Sequence, residues 1–342
     1  MMLNNSCKAY RASFASLLDN INVGSMPSTP YTKRYLQHLL DHRHYYIAIY
    51  AHVLDSAIEK SKQSKTELNL LDFGAGNGLL GLFARHCGFN KVFLCDINSN
   101  FVDASRLVAQ QMNLSIDGFI VGELSQVSEA LQTHLDIIVG TDVIEHIYNL
   151  DHFFKSITHI NPQMITVFST ASNPDNFYKV RQLKKLQVKD EFVGGDPEDF
   201  ALAGEEKHAA YVDIRKAILQ KHLPHMPASE LLQWAQASRG LREDDIVRLA
   251  KGQPVEIDFP FASADTNTCH PYTGSWSERI LSINNYQQLY NRYGYTLQLK
   301  NGFYNSFDGR LKRAVNIFMN LLIKILGRKT APFITLIGFP HK

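Results

Sequence analysis

The sequence predicts an α/β fold, from a glycine-rich turn between a strand and a helix and from a second strand that ends in an acid. Residues 68–73 have the apolar character of a buried strand, and residues 79–87 have a helical pattern. Between them glycine occupies alternate positions, where missing side chains let the backbone approach a ligand. The helix would follow directly and present free N–H groups. These glycines are Gly74, Gly76 and Gly78.

The second strand places an acid where a bound nucleoside would need one. Residues 91–98 form another apolar segment, and Asp96 follows the glycines by about 20 residues. At this spacing a carboxylate reaches a ribose hydroxyl. A tight turn with a chance acid behind it explains either feature alone, but the two together predict a nucleoside-binding α/β domain.

The residue after the turn separates two classes of nucleoside. A dinucleotide-binding turn, G-x-G-x-x-G, would need glycine where this chain has Leu79, which disfavours a nicotinamide oxidoreductase. Instead Asp72 begins D-x-G-x-G-x-G, which resembles motif I of class I S-adenosylmethionine (SAM) methyltransferases, and the resemblance extends over residues 65–174. It implies SAM as cofactor and a Rossmann-like, seven-stranded, mostly parallel sheet with helices on both faces.

The same resemblance implies which residues contact SAM. In the family the glycine turn holds the methionine part, the acid after strand two binds both ribose hydroxyls, and the next residue packs on adenine. Asp96 and Ile97 match those two positions, and Glu123, at the end of a predicted strand over 116–124, is a candidate for the adenine contact. The full set of predicted cofactor-binding residues is Asp72, Gly74, Gly76, Asn77, Gly78, Asp96, Ile97, Glu123 and Thr141.

A second motif predicts the catalytic groups. An apolar strand from residue 135 ends in T-D-V-I-E-H, and polar residues at the carboxyl end of such a strand face the ligand crevice. This run resembles motif IV of small-molecule methyltransferases, most closely the ubiquinone-biosynthesis O-methyltransferase type, so the resemblance implies catalytic roles for Asp142, Glu145 and His146.

Three interpretations of motif IV stay open on the sequence. Some members of that type hold a divalent metal near the acceptor hydroxyl, so Asp142, Glu145 and His146 would be ligands of Mg²⁺ or Zn²⁺. Alternatively His146 is a general base, since imidazole titrates near neutrality. In the third interpretation Glu145 and His146 only cap and anchor the next helix, predicted over 149–159.

The N-terminal region, 1–64, is predicted to form a helical cover over the nucleotide-binding core. A loop of turn-forming residues precedes one long predicted helix, 31–62, with an apolar stripe that would pack on the core. In related methyltransferases an N-terminal helix closes over SAM. Tyr45, Tyr46 and Arg43 are therefore candidates to line the pocket.

An insertion of roughly 100 residues follows the predicted fifth strand, which ends near residue 174. Helical patterns run over 176–191, 205–222, 228–238 and 242–251, so the insertion is predicted to be a subdomain rather than a loop. In this fold such an insertion commonly forms a helical lid that contacts the substrate.

The last part of the insertion, 266–279, lacks helical or strand periodicity and concentrates polar and aromatic groups. Such a loop beside a pocket suits acceptor recognition by stacking and directed hydrogen bonds. An ordered connector with Trp276 inside the core is the alternative. The predicted substrate-binding residues are His270, Tyr272, Trp276 and Arg279, together with Tyr45 and Tyr46.

The C-terminal region, 281–342, is predicted to complete the sheet with two antiparallel strands, 295–304 and 332–339. Between them 308–326 forms an amphipathic helix flanked by basic residues. Packing on the protein is one use of its apolar stripe. Peripheral membrane contact is the other, and it would suit a lipid-linked acceptor.

Composition excludes several classes of protein. A net charge of +2 provides no general field for nucleic acid, and no apolar run approaches the length of a membrane span. No signal peptide is apparent, and the four cysteines lack metal-ligand spacing, which favours a reduced cytoplasmic protein.

These features predict a SAM-dependent methyltransferase, and the resemblance implies transfer to a heteroatom, most simply an oxygen, of a small-molecule or sugar acceptor. A SAM-binding regulatory or scaffold protein without turnover is the alternative class. The predicted regions are 1–64, the core 65–174, the lid 175–280 and the completion of the sheet, 281–342. The oligomeric state and the identity of the acceptor do not follow from any residue.

Overall fold

A computed structural model describes residues 6–131, 133–195, 208–255, 257, 266–305 and 309–341 of the chain, and it describes only the backbone of 309–312. The chain divides into two compact units. Unit 1 contains the chain up to Ile144, then Phe154–Ala171, and the part from Asn284 onward. Unit 2 contains Glu145–Phe153 and Ser172–Ile283, so it begins inside the predicted core, directly after the strand of motif IV.

Unit 1 is built on a seven-stranded sheet with the order β3-β2-β1-β4-β5-β7-β6. Strands β1 to β5 pair in parallel, whereas β7 runs antiparallel to both β5 and β6. This confirms the predicted fold class, including the antiparallel pair at the C-terminus. The strands are β1 Asn69–Phe73, β2 Lys91–Asp96, β3 Gly118–Val121, β4 Ile137–Thr141, β5 Ile165–Thr170, β6 Tyr295–Asn301 and β7 Ile334–Pro340.

The central strands are buried over most of their length because helices cover the sheet. In β2 the four residues before Asp96 are all buried, and every residue of β5 is buried. Such continuous apolar burial is typical of a parallel sheet enclosed on both faces. The helices of unit 1 are α1 Arg11–Leu18, α2 Pro30–Asp41, α3 Arg43–Ser61, α4 Leu79–Cys87, α5 Ser99–Gln111, α6 Leu124–Ala130, α7 Leu150–Ile160 (which begins in unit 2), α12 Ile283–Arg292 and α13 Gly309–Leu326.

The predicted single N-terminal helix over 31–62 is wrong, because the chain forms two helices there. His42 leaves helical geometry, with φ −109° and ψ 21°, and ends α2 before α3 begins at Arg43. Helix α3 packs on β4, β5 and β7 and is apolar around most of its circumference, with Ala51, Val53 and Leu54 fully buried. A helix buried on several sides has no single stripe, which explains why periodicity did not reveal the break.

Unit 2 contains the helices of the predicted insertion and has its own apolar core. They are α8 Phe177–Phe192, α9 Tyr211–His222, α10 Ala228–Ala237 and α11 Glu243–Ala250. Tyr211, Leu219, Leu241, Ile246 and Trp276 are among the residues that form the core. The predicted start of the second helix at residue 205 lies outside the described residues. Over the described ranges of both units, the helices are too short or too polar to cross a membrane.

Candidate cofactor and active site

The glycine turn joins β1 to α4 in a backbone conformation that L side chains rarely adopt. Gly74 has φ 68°, and a Cβ there would lie 2.3 Å from Val143 Cγ2. Gly78 has φ 78° at the N-cap of α4, and a Cβ there would lie 2.7 Å from the Cβ of Ser105. Positive φ and close packing together restrict both positions to glycine. The turn therefore presents bare backbone at the carboxyl edge of the sheet.

Asp72 supports this turn from beneath. Its side chain is buried, and Oδ2 accepts a hydrogen bond of 2.8 Å from the Gly81 N–H in the first turn of α4. Burial raises the pKa of Asp72 to about 7, against this hydrogen bond, which lowers it. The structure thus places Asp72 against the helix, where it positions the turn, rather than at a ligand-facing surface.

Asp96 ends β2 and is fixed by two backbone donors. Oδ2 accepts from the Gly76 N–H at 2.8 Å, and Oδ1 accepts from the Asn98 N–H at 2.9 Å. Burial raises the pKa of Asp96, and both hydrogen bonds lower it. Ile97, the next residue, is 67 % exposed. The structure thus holds the Asp96 carboxylate against the glycine turn with an exposed apolar side chain beside it, and the ribose and adenine contacts of these two residues stay predictions.

Aromatic rings of α2 and α5 lie over the turn. A Cβ at Gly76 would lie 3.5 Å from Tyr35 Cε1, so the Tyr35 ring borders the turn directly. The Tyr31 and Tyr35 rings stack at 6.4 Å, and Phe101 meets both edge-on. Sequence reasoning missed these three residues, although Tyr31 and Tyr35 are four residues apart and therefore share a helix face. Asn77 is buried beneath α2, with Nδ2 3.5 Å from the Thr32 carbonyl.

Motif IV begins with a strained residue. Thr141 ends β4, and Asp142 has φ 50°, an uncommon value for a residue other than glycine. The Asp142 N–H donates to the Ser169 carbonyl at 2.8 Å, and Oδ1 accepts from the Ala171 N–H at 3.1 Å. This geometry holds an exposed carboxylate at the carboxyl end of β4.

The charge of Asp142 acts on tyrosines of the N-terminal helices. Burial raises the pKa of Tyr45 and of Tyr46 to about 12, and the Asp142 carboxylate adds to both shifts. It also contributes to the raised pKa of Tyr35. Asp142 and these phenols therefore share one region of unit 1, beside the glycine turn. Tyr46 Oη also lies 3.1 Å from His38 Nε2, whereas Arg43 forms an ion pair with Asp19 at 2.7 Å.

Glu145 and His146 belong to unit 2. The Glu145 side chain is fully buried. The backbone carbonyl of Glu145 accepts a hydrogen bond from the Arg279 N–H. His146 Nδ1 lies 2.7 Å from the Trp276 carbonyl oxygen, and Nε2 lies 3.8 Å from Oε1 of Glu278. Because a carbonyl can only accept, Nδ1 carries a proton. At the start of α7, Asn149 Oδ1 accepts from the His152 N–H at 2.8 Å. Anchoring of this helix by Glu145 and His146 stays a prediction.

The predicted metal site is not supported. Among the residues that the structure describes, no three His, Cys, Asp or Glu side chains are grouped so that they could hold a metal ion. Within the predicted set, Glu145 is enclosed by protein and His146 Nδ1 is directed at a carbonyl. No step of catalysis is therefore assigned to Mg²⁺ or Zn²⁺.

The predicted substrate loop is mostly interior. Trp276 lies in the core of unit 2, its Nε1 donates to the Tyr148 carbonyl at 3.1 Å, and the Arg279 guanidinium lies 4.6 Å from its ring centre. Arg279 and His270 are also buried, and burial lowers the pKa of His270 to about 4. Burial therefore disfavours direct contact with an acceptor for Trp276, Arg279 and His270. Of the four residues predicted in this loop, only Tyr272 is exposed.

Glu123 also has a local structural role. Its side chain is exposed and accepts a backbone hydrogen bond at the start of α6, while Gln126 Oε1 accepts from the Glu123 N–H at 2.8 Å. This reciprocal pair is a capping box. An adenine contact from Glu123 stays a prediction.

Residues 41–242, more than half of the chain, match a family model described as a methyltransferase domain. A ubiquinone biosynthesis O-methyltransferase of Rickettsia prowazekii is 29 % identical over 131 residues, which cover 36 % of this chain and 50 % of that protein. The enzyme of the same name from Rickettsia conorii is 26 % identical over 128 residues, 36 % of this chain and 42 % of that protein. The chain thus spans about half the length of the curated relatives it matches.

Two solved structures extend over most of the chain. The plantazolicin methyltransferase BpumL in complex with SAH is 11 % identical, with 98 % of each chain covered and a TM-score of 0.40. A SAM-dependent methyltransferase from Mesorhizobium loti is 14 % identical, with 82 % of this chain and 94 % of that chain covered and a TM-score of 0.38.

Proposed function

The chain belongs to the methyltransferase-domain family and is a class I SAM-dependent methyltransferase, and from this premise we propose that it methylates an oxygen atom of a small-molecule acceptor. The observation that carries the proposal is the exposed Asp142 carboxylate, which accepts from the Ala171 N–H and is held at the carboxyl end of β4. Such a carboxylate suits orientation and removal of a hydroxyl proton. The name of the Rickettsia relatives, O-methyltransferase, supports the same acceptor atom.

The residues of unit 1 fit the methyl donor. The Asp96 carboxylate would accept hydrogen bonds from the ribose hydroxyls, Ile97 would pack on adenine, and the glycine turn would admit the methionine part. SAM supplies an electrophilic methyl group when it is bound. Tyr35, at the edge of the turn, would exclude water from that end of the donor.

The acceptor chemistry is assigned to Asp142 of motif IV, which lies in unit 1 with the glycine turn. Its exposed carboxylate would orient the acceptor hydroxyl and take the proton as the oxygen attacks the methyl carbon. Catalytic roles for Glu145 and His146 of unit 2 stay predictions. Most of the rate enhancement would come from holding the donor and the acceptor in line, since positioning can lower a barrier by several kcal/mol. S-adenosylhomocysteine and the methyl ether are the products.

The proposal is tested with SAM carrying a labelled methyl group and a panel of catechols, simple phenols, sugars and lipid-linked phenols. Transfer to a hydroxyl oxygen, identified by mass spectrometry, is expected for at least one small soluble phenol. Asp142→Asn should lower kcat by about a hundredfold or more at unchanged SAM affinity, whereas Asp103→Asn, at an exposed carboxylate of α5, should leave kcat unchanged. SAM binding with no transfer to any class of compound would favour a regulatory protein, and transfer only to nitrogen or carbon would overturn the proposal.

A further inference from the structure

Helix α13, Gly309–Leu326, is oriented with a polar side against the protein. Asn320 forms two hydrogen bonds of 2.8 Å with the backbone of Tyr304, accepting from its N–H through Oδ1 and donating to its carbonyl through Nδ2. Ile323, one helical turn further along, is the buried apolar residue on this side. On this side the helix contacts unit 1 through the Asn320 amide and the buried Ile323 side chain.

The apolar stripe of α13 faces outward. Its large side chains are about half exposed or more, up to 77 % for Ile325. At about 100° per residue they cover roughly half of the helix circumference. They are Val315, Ile317, Phe318, Leu321, Ile325 and Leu326. A contiguous exposed patch of this kind marks a binding surface rather than ordinary surface composition.

The charged side chains that the structure describes on α13 are both basic. Six basic residues and no acidic residue occur between positions 309 and 330 of the sequence. Arg313 and Lys324 are exposed, and both lie beside Ile317 at one margin of the apolar face by helical position. An apolar face bordered by cations is complementary to a surface that offers hydrocarbon beneath a layer of negative charge.

We propose that α13 binds the surface of an anionic lipid bilayer, lying in the interface with Ile317, Phe318, Leu321 and Ile325 inserted between the lipid headgroups. Arg313 and Lys324 would then contact the lipid phosphates. The helix lies on the bilayer and does not cross it, in agreement with the absence of a spanning helix over the described ranges. This interaction is independent of the acceptor proposed above.

A second copy of the chain fits the same face less well. Two α13 helices packed face to face would bring both sets of basic residues together, and no acid between 309 and 330 is available to compensate them. Repulsion between like charges therefore opposes a dimer through this surface, whereas the same charges favour an anionic membrane.

Flotation of the full chain with lipid vesicles tests the proposal. The chain should float with vesicles of phosphatidylcholine and phosphatidylglycerol, bind vesicles of phosphatidylcholine alone much more weakly, and dissociate as salt is raised. Phe318→Ser combined with Leu321→Ser should lower the partition coefficient by at least about tenfold. Lys324→Glu should lower it by about fivefold or more on anionic vesicles and leave phosphatidylcholine binding unchanged.

Matched controls distinguish binding through α13 from nonspecific adsorption of the protein to vesicles. Leu232 is an exposed leucine on α10, so Leu232→Ser should not change partitioning, and circular dichroism with thermal unfolding should show that all variants fold. The proposal is wrong if anionic vesicles do not bind the chain, or if the Phe318 and Leu321 variant binds them as well as the original protein. A dimer that the same variant dissociates, with no vesicle binding, would assign the face to a second copy instead.

Discussion

The turn around Asp96 and the loop around Trp276 are both predicted to contact ligands, but the turn has an exposed apolar side chain whereas the loop is mostly buried. At the turn, Asp96 is fixed by backbone N–H groups and the adjoining Ile97 is exposed. In the loop, Trp276 and Arg279 are inside the core of unit 2. A glycine motif at fixed spacing predicts local backbone geometry well, whereas a concentration of aromatic and polar residues does not separate a site from a core.

The largest effect is expected at Trp276, the buried side chain of the loop. Trp276→Ala should lower the free energy of unfolding by about 3–5 kcal/mol, because it removes a buried indole and leaves a cavity. Trp234→Ala, at the half-buried tryptophan of α10, is the matched control and should cost less. Urea denaturation measures both. A stable Trp276→Ala protein with a raised acceptor KM would show that Trp276 contributes to acceptor binding.

The two regions should also respond to pH with opposite sign. The pKa of Asp72 is raised from 3.8 to about 7, so the folded state binds more protons and this residue's contribution to stability falls as pH rises from 4 to 7. The pKa of His270 is lowered from 6.5 to about 4, so its contribution falls as pH decreases across that range. Each unit of pKa shift corresponds to about 1.4 kcal/mol.

Isosteric variants isolate these contributions. Relative to the original protein, Asp72→Asn should gain stability as pH rises from 4 to 7, and His270→Asn should gain stability as pH falls from 7 to 4. Urea midpoints measured across that range give both differences. Parallel pH dependence for the original protein and a variant would show that the corresponding group does not titrate as its burial implies.

A smaller effect is expected at the ribose contact. Asp96→Ala should weaken binding of S-adenosylhomocysteine more than tenfold, through loss of a charge-assisted hydrogen bond. Asp103→Ala removes an exposed carboxylate on α5 and should leave the dissociation constant unchanged. Isothermal titration calorimetry measures both. Equal affinity of the two variants would show that Asp96 serves the turn and not the ribose.

The smallest effect concerns Tyr272, the exposed member of the loop. Tyr272→Ala should raise the acceptor KM by about threefold and leave SAM affinity unchanged, because an exposed ring contributes one contact at most. Tyr178→Ala, at an exposed tyrosine of α8, is the control for loss of a surface ring. Steady-state kinetics with varied acceptor would detect the difference, and an unchanged KM would leave the loop without a role in recognition.

The sheet was predictable because its strands have local signals. The strands around Asp72 and Asp96 are continuous apolar segments, and the glycine turn specifies a particular backbone. The break at His42 was not predictable, since α3 is buried on several sides and no cap or proline marks the boundary. Tyr35 was missed for another reason: its position over Gly76 depends on how α2 packs, which no local pattern encodes.

The central claim is that the glycine turn and Asp96 bind SAM, and titration of the full chain by calorimetry tests it most directly. S-adenosylhomocysteine should bind with a micromolar dissociation constant, and NAD should release no measurable heat at the same concentrations. Binding of NAD without binding of SAM or S-adenosylhomocysteine would contradict the claim.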